Sequence, residues 1–488
     1  MQWETVIGLE VHVQLATNSK LFSTSCNHFG DLPNENTTPI DLGFPGTLPS
    51  VNQEAVTMGV KLGLALNAEI ATESYFDRKN YFYPDLPKGY QVTQMEKPIF
   101  SGGKIQFECE SKIQTIQLHH AHLEEDAGKS IHGVIADHSG IDLNRAGTPL
   151  LEIVTEPDFR SAAQACAFLK KIHSLVQYLK ISDGDMSQGS LRCDANVSVR
   201  PIGQQALGTR TEIKNLNSFR FIEQAIQHEA ARHIHVLESG GTILQETRLF
   251  DPDKNETRSM RSKEDANDYR YFREPDLLPI IVTQELIAQL KETMPELEDA
   301  KKARYMQTLG LSDYDASILT SDIQIADYFE AALALSDPSN AKAIANWILS
   351  DLLGGLKKHD LAIGNSPIVP AHVAQLVARI QHDVISSKIA KSIFEALLQT
   401  PNLDSNAVDQ IIEHQGLKQV TDSSSLQGFI EEVLEANPSQ VSAFKAAVPE
   451  KQQKMTGFFI GQLMKKTQGK ANPKLLNELL IQSLNRAE

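Results

Sequence analysis

Three runs of this sequence set polar residues two apart with apolar residues between them. VIGLEVHVQL carries Glu10 and His12, LRCDANVSVR carries Arg192, Asp194 and Asn196, and TRTEIKNLNS carries Arg210, Glu212 and Lys214. On a strand such residues share a face and stand roughly 6–7 Å apart along it. They can hold one metal ion, or two neighbouring ones. Carboxylates with a single imidazole suit Mg²⁺ or Mn²⁺ better than zinc, which favours sulfur and nitrogen. Magnesium held by carboxylates commonly accompanies phosphates. A solvated face of a half-buried strand explains any one run as well. Their shared composition, together with Glu152 in TPLLEIVTEPD, favours a metal-binding surface.

The segment HLEEDAGKSIHG adds Glu124, Glu125 and Asp126. Its Gly128-Lys129-Ser130 resembles the close of a phosphate-binding P-loop, but that motif needs a glycine where Leu123 stands. The acids are then its informative half. The expected metal set is Glu10, His12, Glu125, Asp194 and Glu212. FDRKNYFYPDLPKGYQ supplies Arg78, Lys79 and Lys88 around Tyr81, Phe82 and Tyr83, cations for phosphates and rings for a base. The expected nucleotide contacts are Arg78, Lys79, Tyr81, Lys88, Arg192 and Lys214.

These residues need a sheet to position them. In ETVIGLEVHVQL, Leu9, Val11, Val13 and Leu15 face away from Glu10, His12 and Gln14. Helical patterns start near Ser50 and Ser161, and a third has Ser218 as N-cap and Gly240 as stop. Beyond about residue 285 the texture turns helical, and TPNLDSNA from Thr400 reads as a linker. The fold class is α+β: a mostly antiparallel sheet domain with helices (1–290), an all-helical domain (291–402) and a small helical tail (403–488).

The chain of 488 residues has no apolar run long enough to span a membrane, and Met1-Gln2-Trp3-Glu4 starts neither a signal nor a transit peptide. A cytoplasmic location is expected. Cys26, Cys109, Cys166 and Cys193 are too scattered for a disulfide framework or zinc knuckle. A net charge of −16 confines any nucleic-acid contact to a local basic patch. Residues 451–474 offer one, with Lys451, Lys454, Lys465, Lys466, Lys470 and Lys474 and no acid.

VIGLEVHVQL, RKNYFYPDLPKGYQ, HLEEDAGKS, GIDLNRAGTPLLEIV, GSLRCDANVSVR, EIKNLNSFR, DYRYF and GFFIGQLMKKTQGKANP together resemble the B subunits of tRNA-dependent amidotransferases over essentially the whole chain. The resemblance implies a cradle-shaped first domain. It implies phosphorylation of the side-chain carboxylate of Glu-tRNA(Gln) or Asp-tRNA(Asn) by ATP with Mg²⁺, Mn²⁺ being possible, and then amidation by ammonia. The ammonia comes from a glutaminase A subunit in a heterotrimer with a small C subunit. Glu10, Lys79 and Glu125 become the expected catalytic residues, and Lys465, Lys466, Lys470 and Lys474 the expected contacts to mischarged tRNA. Many relatives carry a cysteine zinc motif. Here its positions fall on Ser23, Ser25, Thr38 and Asp41, with Cys26 out of register, so no zinc is expected.

Overall fold

The computed structural model describes residues 2–262, 268–400, 403–420, 422–467 and 469–486. The chain divides into two compact units, Met1–Leu297 and Glu298–Glu488.

The first unit is built on a sheet of ten described strands. Trp3–Gln14 lies at its middle, between Pro149–Thr155 and Leu191–Pro201, and is antiparallel to both. Outward on one side come Lys112–Glu125 and short edge strands. On the other come Thr211–Leu216, Glu246–Asp251 and Glu256–Ser262. Leu9, Val11, Val13 and Leu15 are buried, as their alternation requires. They share one apolar core with Val56 and Val60 of helix Gln53–Ala65, Phe168 and Ile172 of helix Ala162–Tyr178, and Ile222 and Ala225 of helix Phe219–Glu238. The side chains of Ser161 and Ser218 cap the last two helices by accepting from Gln164 N and Phe221 N. The first helix starts later than Ser50, because Asn52 is the residue that caps it, accepting from Glu54 N. One face of the sheet is thus committed to the core, and the even-numbered residues of the middle strand are left on the other.

The second unit is helical from Glu298–Leu309 to Pro473–Arg486 and holds two separate apolar clusters. One gathers Tyr305, Phe329, Trp347 and Ile393; the other gathers Leu426, Phe459, Leu463 and Leu480. Of the stretch read as a linker, residues 401–402 lie outside the described residues. The rest is tied back to the preceding helices. Buried His372 bonds to the backbone oxygen of Asp404 (2.7 Å), and Val408 and Ile412 of helix Ala407–His414 join the first cluster. Among the described residues no helix is long and apolar enough to cross a membrane.

Candidate active site

Strand register brings the candidate residues together. Glu10 lies opposite Asp194, His12 opposite Glu152, Glu152 opposite His122, and Asn196 opposite Glu212. In-register neighbours share a face, so these side chains meet although they come from distant segments. Two groups result: His12 with Glu124 and Glu152, and Glu10 with Asp194 and Glu212. In each, one ligand atom per residue lies within 4.8 Å of the others.

The first group is tightly built. His12 Nε2 lies 3.1 Å from Glu152 and 4.0 Å from Glu124, and His122 Nε2 lies 3.6 Å from both carboxylates. Burial acts to lower the pKa of His12, but Glu152, Asp194 and Glu124 outweigh it and hold the imidazole at about 9. Burial pushes Glu152 up, yet His12, His122 and Lys79 together hold it below the carboxylate range. Behind them runs a histidine ladder. A bulge opposite Val154 and Thr155 lets His119 and His120 sit side by side, with ring centres 4.9 Å apart, and His120 stacks on His122.

The second group is neutralised differently. Lys214 Nζ lies 2.5 Å from Asp194 and 2.9 Å from Glu212, an ammonium among three carboxylates. Asn196 Nδ2 donates to Glu10 (3.0 Å) and Thr247 Oγ1 to Glu212 (2.7 Å), which fixes one oxygen of each. Burial, then Glu152, Glu212 and Asp194, raise the pKa of Glu10. Behind the sheet Glu229, fully buried on its helix, accepts from Thr211 and Thr257 and lies 3.5 Å from Arg248, so the three outer strands are anchored to one carboxylate.

Of the expected metal set, Glu10, His12, Asp194 and Glu212 fall into these groups and Glu125 does not. Glu124, not Glu125, shares the face of His12 and His122, because successive residues of a strand point to opposite sides. Glu125 is buried on the other side, where Lys88 pairs with it and Val92 N–H donates to it (2.9 Å). Lys88 is therefore engaged away from the two groups. Arg78 also departs from the expected nucleotide contacts. Its guanidinium forks onto Glu274 (2.7 and 2.8 Å) and stacks on Tyr90 at 4.2 Å. The next residue, Lys79, points to the opposite side. Its pKa rises because Glu124, Tyr271 and Glu152 outweigh its burial, and its ammonium lies 5.1 Å from the Tyr269 ring and 6.0 Å from that of Tyr81. Arg192 is held by Asp126 at 2.7 Å.

Sequence reasoning left Glu124 and Thr247 out and did not give Glu152 a ligand role. Counting in twos from His122 to Glu124 was the available signal for the first. The partners of Glu152 and Thr247 depend on strand order. The donor sets fit hard divalent cations: three carboxylates in one group, one imidazole and two carboxylates in the other.

Ser23, Thr38 and Asp41 form a hydrogen-bonded knot. Ser23 Oγ donates to Asp41 (2.8 Å), as do the N–H (2.8 Å) and hydroxyl (2.9 Å) of Thr38. Ser25 N–H donates to Ser23 Oγ (3.3 Å), and fully buried Lys20 lies 3.8 Å from Asp41. In the second unit Lys465, Lys466 and Lys474 are exposed and Lys470 is half-buried, with Lys466 paired to Glu432.

Residues 5–288 match the GatB/GatE catalytic domain and residues 327–484 the GatB domain. Full-length relatives include the B subunit of the aspartyl/glutamyl-tRNA(Asn/Gln) amidotransferase of Nitrosococcus oceani, 54% identical over 486 residues, 99% of this chain and 100% of the relative. The protein of the same name from Alkalilimnicola ehrlichii is 54% identical and that from Cellvibrio japonicus 55%, each with the same coverage. The chain belongs to the GatB family.

Proposed function

We propose that this chain is the B subunit of a tRNA-dependent amidotransferase, a ligase forming a C–N bond, that converts Glu-tRNA(Gln) or Asp-tRNA(Asn) to the amidated product. The observation that carries the reading is the pair of acid-rich groups side by side on one sheet face, in a chain whose full-length relatives bear that name. The side-chain carboxylate of the tRNA-bound amino acid attacks the γ-phosphorus of ATP. ADP leaves and an acyl phosphate forms. Ammonia then attacks the acyl carbon, phosphate leaves, and a proton is lost as the amide forms.

His12, Glu124 and Glu152 would hold one Mg²⁺ or Mn²⁺, and Glu10, Asp194 and Glu212 another. Ions held there would neutralise charge between ATP and the anionic acceptor. Lys79 adds a fixed positive charge beside the first group. Asn196 and Thr247 keep one oxygen each of Glu10 and Glu212 aimed. The Ser23–Thr38–Asp41 knot, with hydroxyls and a lysine for partners, favours a zinc-free protein. A glutaminase A subunit and a small C subunit are the inferred partners, Lys465, Lys466, Lys470 and Lys474 the inferred tRNA contacts, and the cytoplasm the inferred location.

The test is the reconstituted trimer with ATP, Mg²⁺, glutamine and each mischarged tRNA. ATP-dependent formation of Gln-tRNA or Asn-tRNA is expected. Failure to amidate either substrate overturns the reading.

A further inference from the structure

The ligand-bearing face continues past Glu10 toward the start of the middle strand. A cavity of about 140 Å³ opens there, lined among others by Gly8, Glu10, Val154, Asn196, Leu207 and Arg210. It shares Glu10 with the second acidic group. Gly8 leaves its floor bare: a Cβ placed on it would meet only Pro157, at 3.7 and 3.8 Å. The loop carrying Leu207 is pressed onto the neighbouring strand at Gly208, where a Cβ would fall 2.2 Å from the Val199 oxygen. Arg210 has no hydrogen-bond or ion-pair partner among the described residues.

Small-molecule pockets commonly measure about 300–1,000 Å³, so this one is too small for a nucleotide. Its apolar wall of Val154, Leu207 and Pro157, with a guanidinium at the edge, suits a short aliphatic chain ending in a carboxylate. We propose that the cavity seats the acidic side chain of the tRNA-bound amino acid, its methylenes over Gly8 and its carboxylate between Arg210 and the Glu10 group. Gly8 then sets the chain length accepted, and Arg210 binds the anion before phosphorylation. The inference rests on the function proposed above.

One methylene in a fitted pocket is worth about 10- to 200-fold in discrimination. In the reconstituted trimer, Gly8→Ala is accommodated without a clash and shortens the floor. It should lower kcat/KM for Glu-tRNA(Gln) about tenfold, change that for Asp-tRNA(Asn) by less than about threefold, and leave the KM for ATP unchanged. Arg210→Gln should raise the KM for both tRNAs, and Arg210→Lys should restore part of it. Equal losses on the two substrates for Gly8→Ala, or no change at all, would overturn the proposal. Should the wild type use one substrate only, the required result is a rise in KM for that tRNA at constant ATP KM, with Arg210→Gln in either case and with Gly8→Ala as well if that substrate is Glu-tRNA(Gln). A wild-type trimer that amidates neither tRNA fails the parent reading instead.

Discussion

The two acidic groups lie on one sheet face and share the middle strand, yet they balance their charge by opposite means. In the His12–Glu124–Glu152 group the positive charge is an imidazole fixed by the strand that carries it and backed by His122. In the Glu10–Asp194–Glu212 group it is Lys214, a flexible four-carbon stem whose side chain is 39% exposed. A pair held rigidly by its strands cannot adjust when one member is lost, whereas a lysine can withdraw to water. The first group is therefore part of the fold as well as of the site, and would take up a metal only as His12 gives up its proton, whereas the second would do so by displacing Lys214.

The largest effect that separates them comes from removing one carboxylate in each. Glu152→Gln and Glu212→Gln should both lower transamidation by roughly a hundredfold or more. Only Glu152→Gln should also cost about 1–3 kcal/mol of stability, because it leaves half-buried His12 without its main counter-charge. Urea unfolding beside activity decides it. Equal stability of the two variants would erase this contrast.

A smaller effect of opposite sign sharpens it. Lys214→Met removes the ammonium that competes for the second group. Binding of Mn²⁺, followed by electron paramagnetic resonance, should then tighten several-fold at one site and stay unchanged at the other. Transamidation should still fall, since the nucleotide contact expected of Lys214 is lost. Weaker Mn²⁺ binding would show that Lys214 instead holds the carboxylates in place.

The smallest effect on chemistry is expected farthest from the sheet. Replacing Lys465, Lys466, Lys470 and Lys474 by Ala should raise the KM for tRNA several-fold at unchanged kcat. The log–log salt slope of tRNA binding should shrink by up to about 0.7–0.9 per lost phosphate contact. Lys466, already paired with Glu432, should contribute least of the four. An unchanged slope would make this lysine run a solvated helix face.

Much of this was legible in the sequence because strand and helix periodicities are local. Alternation alone put Glu10 with His12, Asp194 with Asn196, and Arg210 with Glu212 and Lys214, each pair on one face. Ser161 and Ser218 announced two helix starts, since a cap needs only its own turn. The same local rule, counted from His122, would have chosen Glu124 over Glu125. What the stretch from Thr400 is tied to was not legible for another reason: polar turn residues look alike whether they hang free or, like Asp404, are held by a buried histidine. Pairing between strands was beyond any local pattern. Glu152 meets His12, Thr247 meets Glu212, and Arg78 is drawn onto Glu274 only because strands distant in sequence become neighbours in a fixed register. Sequence determined which residue types each strand offers on each face. Tertiary structure decided how they sort into two groups and which cations serve the site, because that depends on strand order, which side-chain alternation does not encode.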